Sequence, residues 1–138
     1  MSTLRTTNLQ HASSSSNNIV LDSSGHVTIT NDLKINSGYG SATTVYGVRA
    51  WARINGTGTI SEYGKAGFSS ITDQSTGVYR FNFTNTMPDT NYAVAGSTDT
   101  NTVFQVSSTF NTGYIDTSIQ NQSGSTADSD DVSVIVVR

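Results

Sequence analysis

The stretch from Phe68 to Val94 limits the fold more than any other part of the chain. Tyr79, Phe81 and Phe83 alternate with Arg80 and Asn82, which is the period of a half-buried strand. Met87-Pro88-Asp89-Thr90-Asn91 then breaks the pattern, and Tyr92 and Val94 restart it. The single proline of the chain falls in that break, where it removes no ladder hydrogen bond. A region built this way forms strand, turn and strand, with its aromatic side chains on one inner face.

The same grammar continues on both sides. Val48, Ala50, Ala52 and Ile54 occupy one face of a strand, and Arg49, Trp51 and Arg53 the other. Asn55-Gly56 and Thr57-Gly58 supply turn chemistry, after which Thr59-Ile60 can pair back; Gly64 and Gly67 read as a further loop. Phe68 to Ile71 and Val78 to Phe83 flank the turn Asp73-Gln74-Ser75-Thr76-Gly77. Asn91 to Ala95, Val103 to Ser108 and Tyr114 to Ile119 are three more strands, followed by the acidic loop Ser123 to Asp131. The last strand, Asp131 to Val137, is apolar on both faces near its end and is expected centrally in a sheet or at a subunit contact. No stretch carries a helical period. Many short strands with regular turn signals predict an all-β fold, a β-sandwich of jelly-roll-like type, over residues 45–138.

Residues 1–44 differ. Ser13 to Ser16 and Asn17-Asn18 form a low-complexity linker. Ile19-Val20-Leu21 and Val27 to Thr30 around Asp22-Ser23-Ser24-Gly25 read as a hairpin, and Leu33-Lys34-Ile35 continues the alternation. A lone hairpin is marginal in water, so this segment needs a partner surface. It is expected to be an attachment or oligomerisation arm.

Composition agrees. Ser, Thr and Asn supply 54 of 138 residues, while 34% are hydrophobic and 12% charged. Apolar material is scant for a monomeric core, which points to burial between subunits. Net charge is −3, and the seven basic residues are scattered without a stripe, so no nucleic-acid partner is expected. The absence of cysteine excludes a disulfide framework and a thiolate metal site. The first eleven residues hold no apolar leader core, and the apolar run Val134 to Val137 is too short to span a bilayer, so no membrane insertion is expected.

Several separated motifs occur in one order: Ala50 to Thr59 (AWARINGTGT), Phe68 to Asp73 (FSSITD), Gly77-Val78-Tyr79, Phe81 to Thr84, Met87-Pro88-Asp89 and Asn91 to Val94. Together they resemble a module of tailed bacteriophages, of marine and cyanobacterial podoviruses in particular, found in fibre and virion-surface proteins. The likeness covers roughly residues 46 to 137. Ile19 to Ile29 is similar to short β repeats near the start of trimeric phage fibres. The resemblance implies a virion-surface structural protein (fibre, knob or decoration component) made in the host cytoplasm. It also implies a homotrimer that contacts other virion proteins of capsid or tail. A receptor-binding tip for host surface glycan is the alternative. The family carries no agreed catalytic residues, and none is transferred.

Candidate sites follow from residue type. Trp51, between Arg49 and Arg53, is either a stacking or partner-anchoring platform or a core residue with arginines at its rim, and the usual burial of tryptophan favours the core. Tyr39, Tyr46 and Tyr63 lie in Gly-rich, loop-like surroundings that suit either an adaptable binding surface or packing over a sheet edge. Asp128, Asp130 and Asp131 lack the spacing of a calcium loop and read as a solvated acidic loop. His11 and His26 have no third ligand at useful spacing, so no metal or cofactor is expected. Some phage spikes cleave glycans with paired carboxylates, and Glu62, Asp73, Asp89 and Asp99 are available. Turn chemistry explains each of them, and the chain is expected not to be an enzyme.

Overall fold

A computed structural model describes residues 6–29, 33–35, 43–44, 47–99, 101–107 and 109–138. The chain divides into two compact units, Met1–Val45 and Tyr46–Arg138. Every element among the described residues is a strand or turn, and no helix is long and apolar enough to cross a membrane.

The first unit is built from very short strands. β1 (Asn8–Leu9), β2 (Ile19–Leu21) and β3 (Val27–Ile29) form an antiparallel sheet in that order. β4 (Lys34–Ile35) pairs with β5 (Thr43–Thr44). The expected hairpin is therefore present, and β1 joins its free edge. Its turn is organised by Asp22, whose Oδ1 accepts the N–H groups of Ser24 and His26 at 2.8 and 2.9 Å. Gly25 supplies the left-handed residue at φ 84°. The sheet covers little: Val27 is 60% exposed, and Leu9, Ile29 and Leu33 are exposed as well.

The second unit is a sandwich of two four-stranded antiparallel sheets. Its strands are β6 (Val48–Asn55), β7 (Ser61–Ala66), β8 (Phe68–Ser75), β9 (Val78–Phe83), β10 (Ala93–Thr98), β11 (Thr102–Val106), β12 (Tyr114–Asn121) and β13 (Val132–Val137). One sheet runs β10-β13-β6-β7 and the other β11-β12-β9-β8. The expected all-β sandwich is the observed architecture. Its hairpins β6–β7, β8–β9 and β11–β12 each stay within one sheet, so its strand order differs in detail from that of a jelly roll. β13 is central, between β10 and β6, as its two-sided apolar character requires.

The core follows the period of two. Ala50, Ala52 and Ile54 of β6 and Val132, Val134 and Val136 of β13 are buried on one sheet. Tyr79, Phe81 and Phe83 of β9 and Ile115 and Ile119 of β12 are buried on the other. Small and branched residues on the first sheet thus leave room for rings on the second. Phe68 lies 5.4 Å, ring to ring, from both Phe81 and Phe83, and Tyr92 meets Phe83 edge-on at 5.7 Å. The break around Pro88 is itself anchored, since Met87 is buried and its N–H bonds to the Thr112 carbonyl at 2.8 Å.

The sequence misplaced one strand. Tyr63 and Gly64, read as loop, belong to β7. Gly64 is tolerated there because β7 is an edge strand with the Trp51 ring lying over it; a Cβ at Gly64 would sit 3.1 Å from Trp51 Cη2.

Candidate binding face

The outer face of the β10-β13-β6-β7 sheet follows from strand register. Ala95 pairs with Ile135, which pairs with Trp51, which pairs with Ala66; these four lie in one row pointing away from the core. Ser97, Ser133, Arg53 and Gly64 form the next row. Trp51 is 42% exposed and Ile135 is 38% exposed. The core position favoured for Trp51 is therefore corrected: alternation puts Ala50 and Ala52 inside, and that places the indole outside. An open trough of about 530 Å³ lies along the two rows.

A β-bulge finishes one end. Arg53 pairs with Gly64 and Ile54 with Glu62, leaving Tyr63 as the extra residue of β7. Tyr63 is a strand residue and not the loop residue expected; it is 57% exposed. The Arg53 guanidinium lies 4.9 Å from the Tyr63 ring centre and donates to Asp131 from Nε at 3.1 Å and from Nη2 at 2.6 Å. The Arg53 hydrogen bonds hold the Asp131 carboxyl below its ordinary range, and the same pairing raises the guanidinium. The Tyr63 hydroxyl reaches the Asp130 carbonyl at 3.4 Å.

Arg49 does not join this group. A second bulge, between the pairs Ala50–Val136 and Val48–Val137, leaves it as the extra residue of β6. It lines a separate small depression with Gly67, Phe83, Asn85 and Met87. Tyr39 and Tyr46 lie outside the described residues. Of the six candidates, Trp51, Arg53 and Tyr63 come together. Residue type alone did not reveal Ala95, Ser97, Ser133 and Ile135; the one available signal was the apolar outward Ile135 on the last strand.

The acidic loop is not simply solvated. Asp131 belongs to Arg53, and Asp128 Oδ1 accepts the Gly77 N–H at 2.6 Å and lies 3.2 Å from the Tyr79 hydroxyl. Three of the four carboxylates considered for catalysis also have internal partners. Asp89 pairs with Arg138, Glu62 Oε1 is 2.5 Å from Lys65 Nζ, and Asp99 accepts the Thr102 hydroxyl at 2.8 Å. His26 Nδ1 is 2.8 Å from Asp22 Oδ2, and His11 Nδ1 accepts the Ser13 N–H at 3.2 Å. Among the described residues no group of three or more His, Cys, Asp or Glu side chains is placed to hold a metal ion.

The opposite outer face is chemically different. Arg80 donates to Asp116 through two bonds of 2.8 Å and lies 3.7 Å over the Tyr114 ring, while Asn82 donates to Ser70 at 3.0 Å. It is mostly a polar ladder whose groups satisfy one another.

The fold and this face define an antiparallel β-sandwich with one apolar, aromatic outer ledge. No family model matches the chain, and no curated protein matches it. Among solved structures it is similar to the phiAB6 tailspike, crystallised with three-repeat oligosaccharides of Acinetobacter baumannii surface polysaccharide, at 19% identity and a TM-score of 0.49. The match takes in 95% of this chain and spans 30% of that one. At that identity and score it assigns no activity here.

Proposed function

We propose that the chain is a bacteriophage virion-surface protein without a catalytic role, carried on the particle by residues 1–44 and presenting the sandwich outward as a homotrimer. One observation carries the proposal: the first unit leaves Leu9, Val27, Ile29 and Leu33 exposed around strands of two or three residues. A sheet that small does not hold itself together in water, and association covers what it leaves bare. The phage assignment rests on the ordered motifs between Ala50 and Val94. The anchoring partner is another virion protein, of capsid or tail. Removal of residues 1–44 should abolish incorporation into particles, and the full chain should scatter light as a trimer. A stable monomer at micromolar concentration, or normal incorporation without the arm, would overturn the proposal.

A second reading, a receptor-binding tip for host surface glycan, is favoured by the exposed Trp51–Tyr63–Ile135 ledge. Glycan hydrolysis needs a pair of carboxylates, and of the four considered Asp89, Glu62 and Asp99 are engaged by Arg138, Lys65 and Thr102. Release of reducing sugar from host polysaccharide would reinstate it.

A further inference from the structure

We infer that the outer ledge of the β10-β13-β6-β7 sheet is a stacking site for an uncharged saccharide ring, with the Trp51 indole as its platform. The inference deepens the receptor-binding reading and rests on it. Trp51 pairs across the strands with Ala66 on one side and Ile135 on the other, its ring lies over Gly64, and 42% of its surface stays open to solvent. The π face of an indole is negative, and the C–H face of a pyranose is apolar and slightly positive, so the two stack. Ser97 adds a hydroxyl beside the ring, able to meet sugar hydroxyls in both hydrogen-bonding senses, and Ser133, which donates to Asp131, adds an acceptor.

Size fits such an occupant: nine residues line the trough, and its volume of about 530 Å³ is that of a small-ligand site.

Charge selects among saccharides. The one cation on the ledge, Arg53, is already neutralised by a forked bond to Asp131. Asp131 keeps its carboxylate at that end of the ledge, and the chain carries net charge −3. A carboxylated or sulfated sugar finds no unpaired cation among these ledge residues and meets the Asp131 carboxylate at its end. A neutral hexose ring meets aromatic surface and hydroxyls.

Trp51 is the single tryptophan, so its emission in the full chain reports on the ledge directly. The probes are neutral malto-, cello-, galacto- and chitooligosaccharides, with hyaluronate and polygalacturonate as charged counterparts. At least one neutral series should change the emission saturably, with an affinity that varies less than about twofold between low and high salt. Trp51→Ala should weaken binding of that series at least about tenfold by calorimetry. Ala95→Arg, which fills the trough and keeps the indole, should do the same. Val103→Ala, on the exposed outer face of the other sheet, should leave it unchanged. Three results would overturn the inference: no neutral series binding, salt-sensitive binding of the charged polymers alone, or affinity indifferent to both ledge variants. An emission shift that follows protein concentration without sugar would make the ledge a contact between copies and would also overturn it. Cell binding separates the two levels. Host cells bound equally well by both ledge variants leave the receptor reading standing without this site. A sugar signal at Trp51 in a chain that neither binds cells nor blocks infection does the reverse.

Discussion

The hydroxyl of Tyr79 donates to the carbonyl oxygen of Gly56 at 3.0 Å, tying β9 of one sheet to the end of β6 in the other. The side chain is fully buried, and the same hydroxyl sits 3.2 Å from Asp128 Oδ1. Phenylalanine keeps the ring and removes the hydroxyl that serves the Gly56 carbonyl, while Asp128 Oδ1 keeps the Gly77 N–H. Tyr79→Phe should therefore cost about 1–3 kcal/mol, the usual penalty for leaving a buried polar group unpaired. Denaturant midpoints at neutral pH measure it. A variant as stable as the parent would mean that water replaces the bond.

The same residue predicts an alkaline limit. Burial first, and the Asp128 charge second, push the Tyr79 hydroxyl well above the ordinary tyrosine range. The folded state thus favours the neutral phenol. Its contribution is fully present below about pH 10, where unfolded tyrosine ionises, and is lost as pH rises further toward the folded value. The stability gap between the parent and Tyr79→Phe should narrow above that pH. A gap that stays constant to the alkaline unfolding limit would contradict the assignment.

Two glycines with left-handed backbone test the packing against backbone strain. Gly77 has φ 68°, and a Cβ there would sit 2.5 Å from the Ala127 carbonyl oxygen and 2.7 Å from its nitrogen. Gly124 has φ 81° but open space around it. Gly124→Ala should cost only the left-handed penalty, about 1–2 kcal/mol. Gly77→Ala should cost clearly more, because backbone has to move as well. Equal losses in thermal unfolding would show that the 76–77 turn yields freely.

Much of this was legible in the sequence because a period of two needs no tertiary knowledge. Tyr79, Phe81 and Phe83 declared an inner face, and Val132, Val134 and Val136 declared a central strand. What stayed hidden depends on pairing. Gly64 looks like a loop residue until Trp51 is known to lie over it, whereas Gly67, at φ 77°, does sit in the tight link between β7 and β8. Asp128 looks solvated until Gly77 and Tyr79 arrive from about fifty positions away. Trp51 was harder still, because average burial argues for the core while its own strand's alternation argues against it. The alternation was the better guide, since Ala50, Ala52 and Ile54 cannot be inside together with Trp51. The bulges that add Tyr63 to the ledge and remove Arg49 from it leave no mark on one-dimensional pattern.

Acid should loosen the sandwich at two identified places. Arg53 holds the Asp131 carboxyl below its ordinary range, and Arg138, then the Asn91 N–H, do the same for Asp89. A carboxyl with a depressed folded pKa contributes stability above its unfolded value, about 3.9, and loses that contribution as pH falls through the folded value. Stability should thus be level from neutral pH down to about 4 and drop below it. Both partners are solvent-accessible, so salt should shrink the effect. Asp131→Asn combined with Asp89→Asn should flatten the acid limb, and unfolding curves between pH 2 and pH 7 would show whether it does.

The two faces of one sandwich should respond very differently to removal of a large ring. Phe81 is fully buried between the sheets, with the Phe68 ring tilted against it 5.4 Å away. Phe81→Ala leaves a cavity that rigid strands cannot close and should cost about 3–5 kcal/mol. Trp51 is a larger side chain, yet it lies on the outer face with 42% of its surface in water. Trp51→Ala gives up its contact over Gly64 and opens no interior void, so the loss should stay within about 1 kcal/mol. Parent emission should also be quenched by acrylamide, as expected of a half-exposed indole. If Trp51→Ala instead unfolds the protein as Phe81→Ala does, the indole is part of the core after all, and the outer ledge ceases to be a place where anything can bind.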